Sequence, residues 1–249
     1  MKISSLLKDL LSHAVLLFVW LVIFGFISEK GGYLGIGLSV ITIIVFFVVH
    51  IFKGYPKIEK QERLKWRFSK HGWLLIFASI LLVAGDIAWV IDQDRLLDVD
   101  EPNPLVYAIM IVFAFPLAEE FGFRLWIQST LETRIKPIFA ILITAFIFAS
   151  FHSSQFPISQ FLGGCMYGLA LFISKSIWYP FLLHALQNGL LVGLGEFEWV
   201  KEQAWALSDA SPAWLLPSAI CAWVLAGVIV FAWFRINMVS WEELILEAS

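Results

Sequence analysis

Residues 105–127 read LVYAIMIVFAFPLAEEFGFRLWI. A helix of roughly 20 apolar residues crosses a ~30 Å hydrocarbon core, so the run is long enough to span a membrane. Yet it contains Glu119, Glu120 and Arg124. Ionisable groups within a bilayer are rare and costly, and they point by default to a function with nameable partners. This one stretch therefore sets both the fold class and the place to look for a site.

The rest of the chain agrees. Its 249 residues are 60% hydrophobic and only 15% charged, with a mean hydropathy of +0.83. Eight apolar segments follow one another: 10–28, 33–52, 73–91, 105–127, 137–152, 157–173, 177–194 and 213–235. The expectation is an all-α polytopic membrane protein, about eight transmembrane helices around a polar intramembrane cavity, in a single domain spanning 1–249. The first segment follows Lys2 and Lys8 but precedes no small-residue cleavage pattern, so it reads as an uncleaved anchor. Cys165 and Cys221 both lie in apolar runs and read as buried packing residues rather than a disulfide.

Orientation follows from charge. The stretch KGYPKIEKQERLKWRFSKHG (53–72) holds seven of the seventeen Lys and Arg residues and is expected as a basic cytoplasmic loop. Arg134, Lys136, Lys175 and Arg235 fall on the same side if eight crossings alternate. The acidic stretches 92–102 and 195–212 then form outer loops, and both termini face the cytoplasm, most simply in a plasma (inner) membrane. Trp73, Trp89, Trp178, Trp214 and Trp233 fall near helix ends, as interfacial anchors do. Gly164 with Gly168, and Gly189 with Gly193, are small-xxx-small pairs that can bring helices close.

The chemistry-bearing residues are few: His50, Asp86, Glu119, Glu120, Arg124, His152 and His184, with Gln187 and Asn188. Glu120 and Arg124 are four apart and can pair along one helical face. Glu119 is turned about 100° away and cannot share that arginine equally. It is left for proton transfer, to which a desolvated carboxylate is suited. Pro116 removes a helical hydrogen bond just upstream. FIFASFH ends in His152, one turn from Phe148, and HALQN places His184 and Asn188 on one face. As single features these fit interhelical hydrogen bonding equally well. Together they supply a base and electrophilic stabilisers, enough to activate water and hold a tetrahedral intermediate.

Glu119-Glu120-x-x-x-Arg124, Phe148-x-x-x-His152 and His184-x-x-x-Asn188 occur in the order and spacing that resembles the CPBP (Abi) family. These are the CAAX prenyl proteases and bacteriocin-processing enzymes, including type II CAAX prenyl endopeptidases. The resemblance covers roughly residues 105–194, the expected catalytic core. It implies an intramembrane peptidase in which Glu119 and His152 activate the water. His184 and Asn188 would form the oxyanion hole, and Glu120 and Arg124 would shape and balance the site. A zinc-dependent version would use Glu119, His152 and His184 as ligands, although no HExxH is present; the metal-independent, cofactor-free version is the one expected. The implied partners are the bilayer and a peptide or protein substrate, prenylated or otherwise membrane-anchored, and no nucleic acid. The rivals are a non-catalytic immunity or scaffold protein, and a proton-coupled transporter, although no internal repeat supports the latter. One tension stands. Counted from the inferred helix ends, Glu119 and His184 lie toward the cytoplasm and His152 toward the outside, ~10 Å apart, which is too far to share one water.

Overall fold

Every regular element among the described residues is a helix. The structure is a computed structural model and describes residues 63–92, 104–152, 157–196, 198–210 and 212–237. Two compact units divide the chain, Met1–Gln61 and Glu62–Ser249, and the described residues belong to the second. The first two apolar segments with their expected anchor, His50, the first half of the basic stretch and most of the acidic stretch 92–102 lie outside them.

The helices are α1 (Trp73–Asp92), a long run α2 from Pro104 to Glu132, α3 (Pro137–Phe151), α4 (Pro157–Ser174), α5 (Trp178–Glu196), α6 (Glu198–Ala210) and α7 (Leu215–Asn237). Helix α7 packs along α1, α3 along α4, and α4 against α5. By length and composition Trp73–Ile91 and Leu215–Asn237 can each cross a membrane, and Pro137–Phe151 and Ile158–Ser174 are shorter apolar helices. About eight spans around a polar cavity stays an expectation read from the sequence.

The distribution of side chains is inverted relative to a protein in water. Phe77 and Ile80 on α1, Phe139 and Phe146 on α3, and Val224, Val228 and Phe231 on α7 all face outward. Meanwhile Arg63, Asp86, Glu120, Arg124, Gln128, Thr144, Ser159, His184 and Gln187 are buried. Water would favour the reverse, and hydrocarbon favours this. Asp86 shows how a buried carboxylate is satisfied. It accepts from Ser159 Oγ of α4 at 2.8 Å and from Trp223 Nε1 of α7 at 3.1 Å, tying three helices together.

Helix α2 explains the site's geometry. It alternates between α and π winding: α at Pro104–Ile109, π at Met110–Ala114, α at Phe115–Glu119, π at Glu120–Gln128 and α at Ser129–Glu132. The first π stretch has a cause in Pro116. Phe115 N–H bonds to Met110 O, five residues back. The next bond in that register would run from residue 116 to Ile111 O, and proline has no N–H. Asn188 Nδ2 donates to Ile111 O instead, at 2.9 Å.

Several expectations are corrected here. The fourth apolar segment does not stop at 127; the helix continues to Glu132. Its last polar residues are buried by partners: Arg63 Nη1 donates to Ser129 Oγ at 2.7 Å and Nη2 to Glu132 Oε2 at 2.9 Å. The stretch 195–212 is not a plain loop, because it contains α6. Ala204 and Leu207 of α6 pack with Ile91 and Leu215, a one-sided apolar pattern that its acidic residues disguised. Cys221 is exposed on α7 rather than buried. Trp73 and Trp214 are exposed as anchors should be, but Trp233 is wholly buried and donates Nε1–H to Ser69 Oγ. Of the glycine pairs, only the first marks a close approach. A Cβ on Gly164 would lie 3.0 Å from Ala145, and one on Gly168 2.9 Å from Gln128 Oε1 and Ile141, whereas one on Gly193 would meet nothing within 4 Å.

Candidate active site

Three helices deliver the site. Glu119 and Glu120 come from the middle of α2, His152 caps the C-terminal end of α3, and His184 lies two turns into α5. The expected depth mismatch disappears. Glu119 lies thirteen residues before the true end of α2 at Glu132, and His152 follows the fifteen residues of α3. With a short turn between them, the two reach comparable depth.

His184 reaches the same level because the α4–α5 turn is recessed. Ser176 and Ile177 are fully buried under the last part of the basic stretch. Ile177 N–H donates to Arg63 O at 2.9 Å, Arg67 N–H to Ser176 Oγ at 3.4 Å and Trp178 Nε1 to Leu64 O at 2.7 Å. Trp66 stacks on Trp178 at 4.9 Å. Lys175 makes the tight reversal in the left-handed region, φ 53°. Residues 63–68 are therefore a docked cover rather than a free loop, which charge counting cannot reveal.

Glu119 Oε2 lies 3.4 Å from His152 Nε2 and 3.6 Å from His184 Nε2. Both rings are oriented from their other nitrogen. His152 Nδ1 is 2.8 Å from Phe148 O, which can only accept, so Nδ1 carries the proton. His184 Nδ1 is 2.9 Å from Glu120 Oε1, also an acceptor. In their neutral forms both imidazoles thus turn an unprotonated Nε2 toward Glu119. The expected Glu120–Arg124 pair forms, with Arg124 Nε 3.3 Å from Glu120 Oε2 and both side chains at 0% exposure. Arg124 also lies over the rings of Phe148 and Tyr167, at 5.2 and 5.9 Å, where a guanidinium is attracted by the π face.

Exposure is graded along this chain of groups: His152 25%, Glu119 18%, His184 5% and Glu120 0%. The site opens at the His152 edge and is closed toward the cover. Asn188, expected beside His184, lies on the same helix with one amide hydrogen committed to Ile111 O; Nδ2 carries a second. Asp86 belongs to its own polar node. Sequence reasoning missed the Glu120–His184 bond, the Phe148 carbonyl and Tyr167. The bond between Glu120 and His184 joins residues 64 apart, so no local spacing could signal it.

The fold and the site together define a class: a helical membrane protein whose interior holds a carboxylate between two oriented imidazoles. Residues 101–190 match the family model described as Rce1-like, type II CAAX prenyl endopeptidase Rce1-like. Residues 101–190 are thus similar to that family, and they contain every motif residue named above. No curated protein and no solved structure matches the chain.

Proposed function

We propose that this protein is an intramembrane endopeptidase in which Glu119, with His152, activates a water molecule. The observation that carries the reading is the convergence of both imidazole Nε2 atoms on Glu119 Oε2, within 3.6 Å. A water there finds an acceptor on each side. It can give one proton toward the carboxylate and turn the other toward an imidazole, leaving a lone pair for a carbonyl carbon. Glu119 takes the proton and later returns it to the leaving amine. His184 donates to the oxyanion when Nε2 also carries a proton, with Glu120 placed to balance that charge, and Asn188 offers its second amide hydrogen.

A zinc-dependent version would call on Glu119, His152 and His184, whose donor types suit zinc. The steps above are written for the cofactor-free version and none is routed through a metal. The substrate we infer is a membrane-associated peptide or protein, cut near its C-terminus, with prenylation one way of holding it at the bilayer. The plasma membrane with both termini cytoplasmic is the placement the basic residues favour.

The test is a comparison of protein C-termini in cells carrying wild-type protein and Glu119→Ala, with the variant inserted at normal levels. Peptides shortened only with the wild type identify substrates. Identical C-termini in both would sink the reading, as would full activity of Glu119→Ala on a purified substrate. Metal content and chelator sensitivity of the purified protein test the zinc version directly.

A further inference from the structure

We propose that Tyr167 is a positioning residue for His184; the inference rests on the protease reading for its kinetic part and on geometry alone for the rest. The two rings are stacked, with centroids 4.8 Å apart and planes within 16°. Phe148 closes the edge of the same imidazole at 5.7 Å and 76°. Glu120 fixes one atom of His184, Nδ1. A single hydrogen bond leaves a ring free to swing about that contact. The flat face of Tyr167 removes that freedom and so determines where Nε2 points.

Tyr167 reaches α5 at a second place. Its hydroxyl donates to Gln187 Oε1. Gln187 is three residues beyond His184, on the same side of α5. One residue of α4 therefore touches α5 at 184 through its ring and at 187 through its hydroxyl, and the ring is the contact that orients the imidazole. Gly163, one turn back on α4, borders the same contact. A Cβ there would lie 3.7 Å from Gln187 Oε1 and from the Tyr167 ring, in contact but not in conflict. Tyr167 is buried to 2% exposure, with no access to substrate. It acts through the residues it touches, and the imidazole of His184 is the one its ring lies flat against.

Misplacing a reacting group by ~1 Å can cost on the order of 10²-fold. Tyr167→Phe keeps the stack and is expected to stay within roughly fivefold of wild type. Tyr167→Leu and Tyr167→Met keep apolar volume but lose the plane, and should lower kcat by ~10–100-fold with KM little changed. Ser159→Ala, in the remote Asp86 node, is the stability control: at a similar loss of melting temperature it should leave kcat unchanged. The chain has five histidines, so ¹⁵N-histidine spectra of the purified protein follow the His184 ring without any substrate. The spectrum of Tyr167→Phe should match wild type at His184, and those of Tyr167→Leu and Tyr167→Met should not. Unchanged kcat and unchanged His184 signals in Leu and Met would overturn the proposal. So would an equal kcat loss in Ser159→Ala, or failure of the Phe variant to rescue. If neither Leu nor Met accumulates, Tyr167→Phe and Gln187→Leu decide it: a changed His184 signal in Phe overturns the role of the ring, and wild-type signals in both support it. If no substrate is ever cleaved, the protease reading fails, and the spectra still judge the position of His184.

Discussion

Glu120 is tied at both oxygens, Oε1 to His184 Nδ1 and Oε2 facing Arg124 Nε. Its neighbour Glu119 pairs with neither of those two nitrogens and lies with His152 at the more exposed edge of the described cluster. Adjacent positions on one helix thus separate a fixed carboxylate from an available one. Two expected outcomes follow at this scale. Glu119→Gln, nearly isosteric but a poor base, should lower kcat by ~10²–10⁴-fold while the protein melts as wild type, as read by turnover and thermal denaturation in detergent. Glu120→Ala should instead strike stability first. It leaves the buried Arg124 guanidinium without its carboxylate, a change that costs about 3–5 kcal/mol, and it frees His184. The melting temperature should fall together with activity, whereas an active variant of normal stability would show that Arg124 and His184 are held by other groups.

At the scale of elements, close helix approach does what single contacts cannot. Helix α4 comes against α3 and α2 where Gly164 and Gly168 have no side chain. Gly164→Leu must push back the Ala145 backbone, and overpacking of this kind costs about 1–3 kcal/mol. Gly193→Leu, with nothing within 4 Å of its added Cβ, should be near neutral. A pair of melting curves checks the contrast. The Pro116 device belongs here too. Proline strips Ile111 O of its helical partner, and Asn188 from α5 supplies another. Asn188→Leu should therefore combine a turnover loss of ~10²–10³-fold with increased hydrogen exchange along α2 near Ile111. A turnover loss without that exchange change would confine Asn188 to the oxyanion.

On the scale of the whole molecule, the described residues of the second unit carry a row of polar groups from His152 to Arg63, with residues 63–68 covering the Arg63 end. Access from the His152 edge is expected. In a background with Cys165 and Cys221 replaced, cysteines at Ser150, beside His152, and at Lys70, beyond the cover, should label with an impermeant maleimide from opposite sides of sealed vesicles. Only the label at Ser150 should block cleavage. Labelling of both from one side would refute the orientation, and inhibition only through Lys70 would refute the access route.

The helical class and the approximate positions of the apolar segments from residue 73 onward were legible in the chain, because hydropathy and spacing of three or four residues are local properties. Burial of Gln128, Ser129 and Glu132 was not. Their polarity ended the apolar run on paper, and only Arg63, more than sixty residues away, makes their burial tolerable. The same limit hid the common depth of Glu119, His152 and His184, which depends on where helices end and how far the α4–α5 turn is recessed. The spacing to Arg124 separated the two glutamates, but it could not show that Glu120 also holds His184. The sequence by itself determined which groups enter the membrane and which pairs can lie on one helix face. Tertiary structure alone decided that Glu120 orients His184, that Tyr167 stacks on it and that Glu119 meets both imidazoles. Those contacts join helices whose relative depth and rotation arise from packing, and no local pattern encodes them.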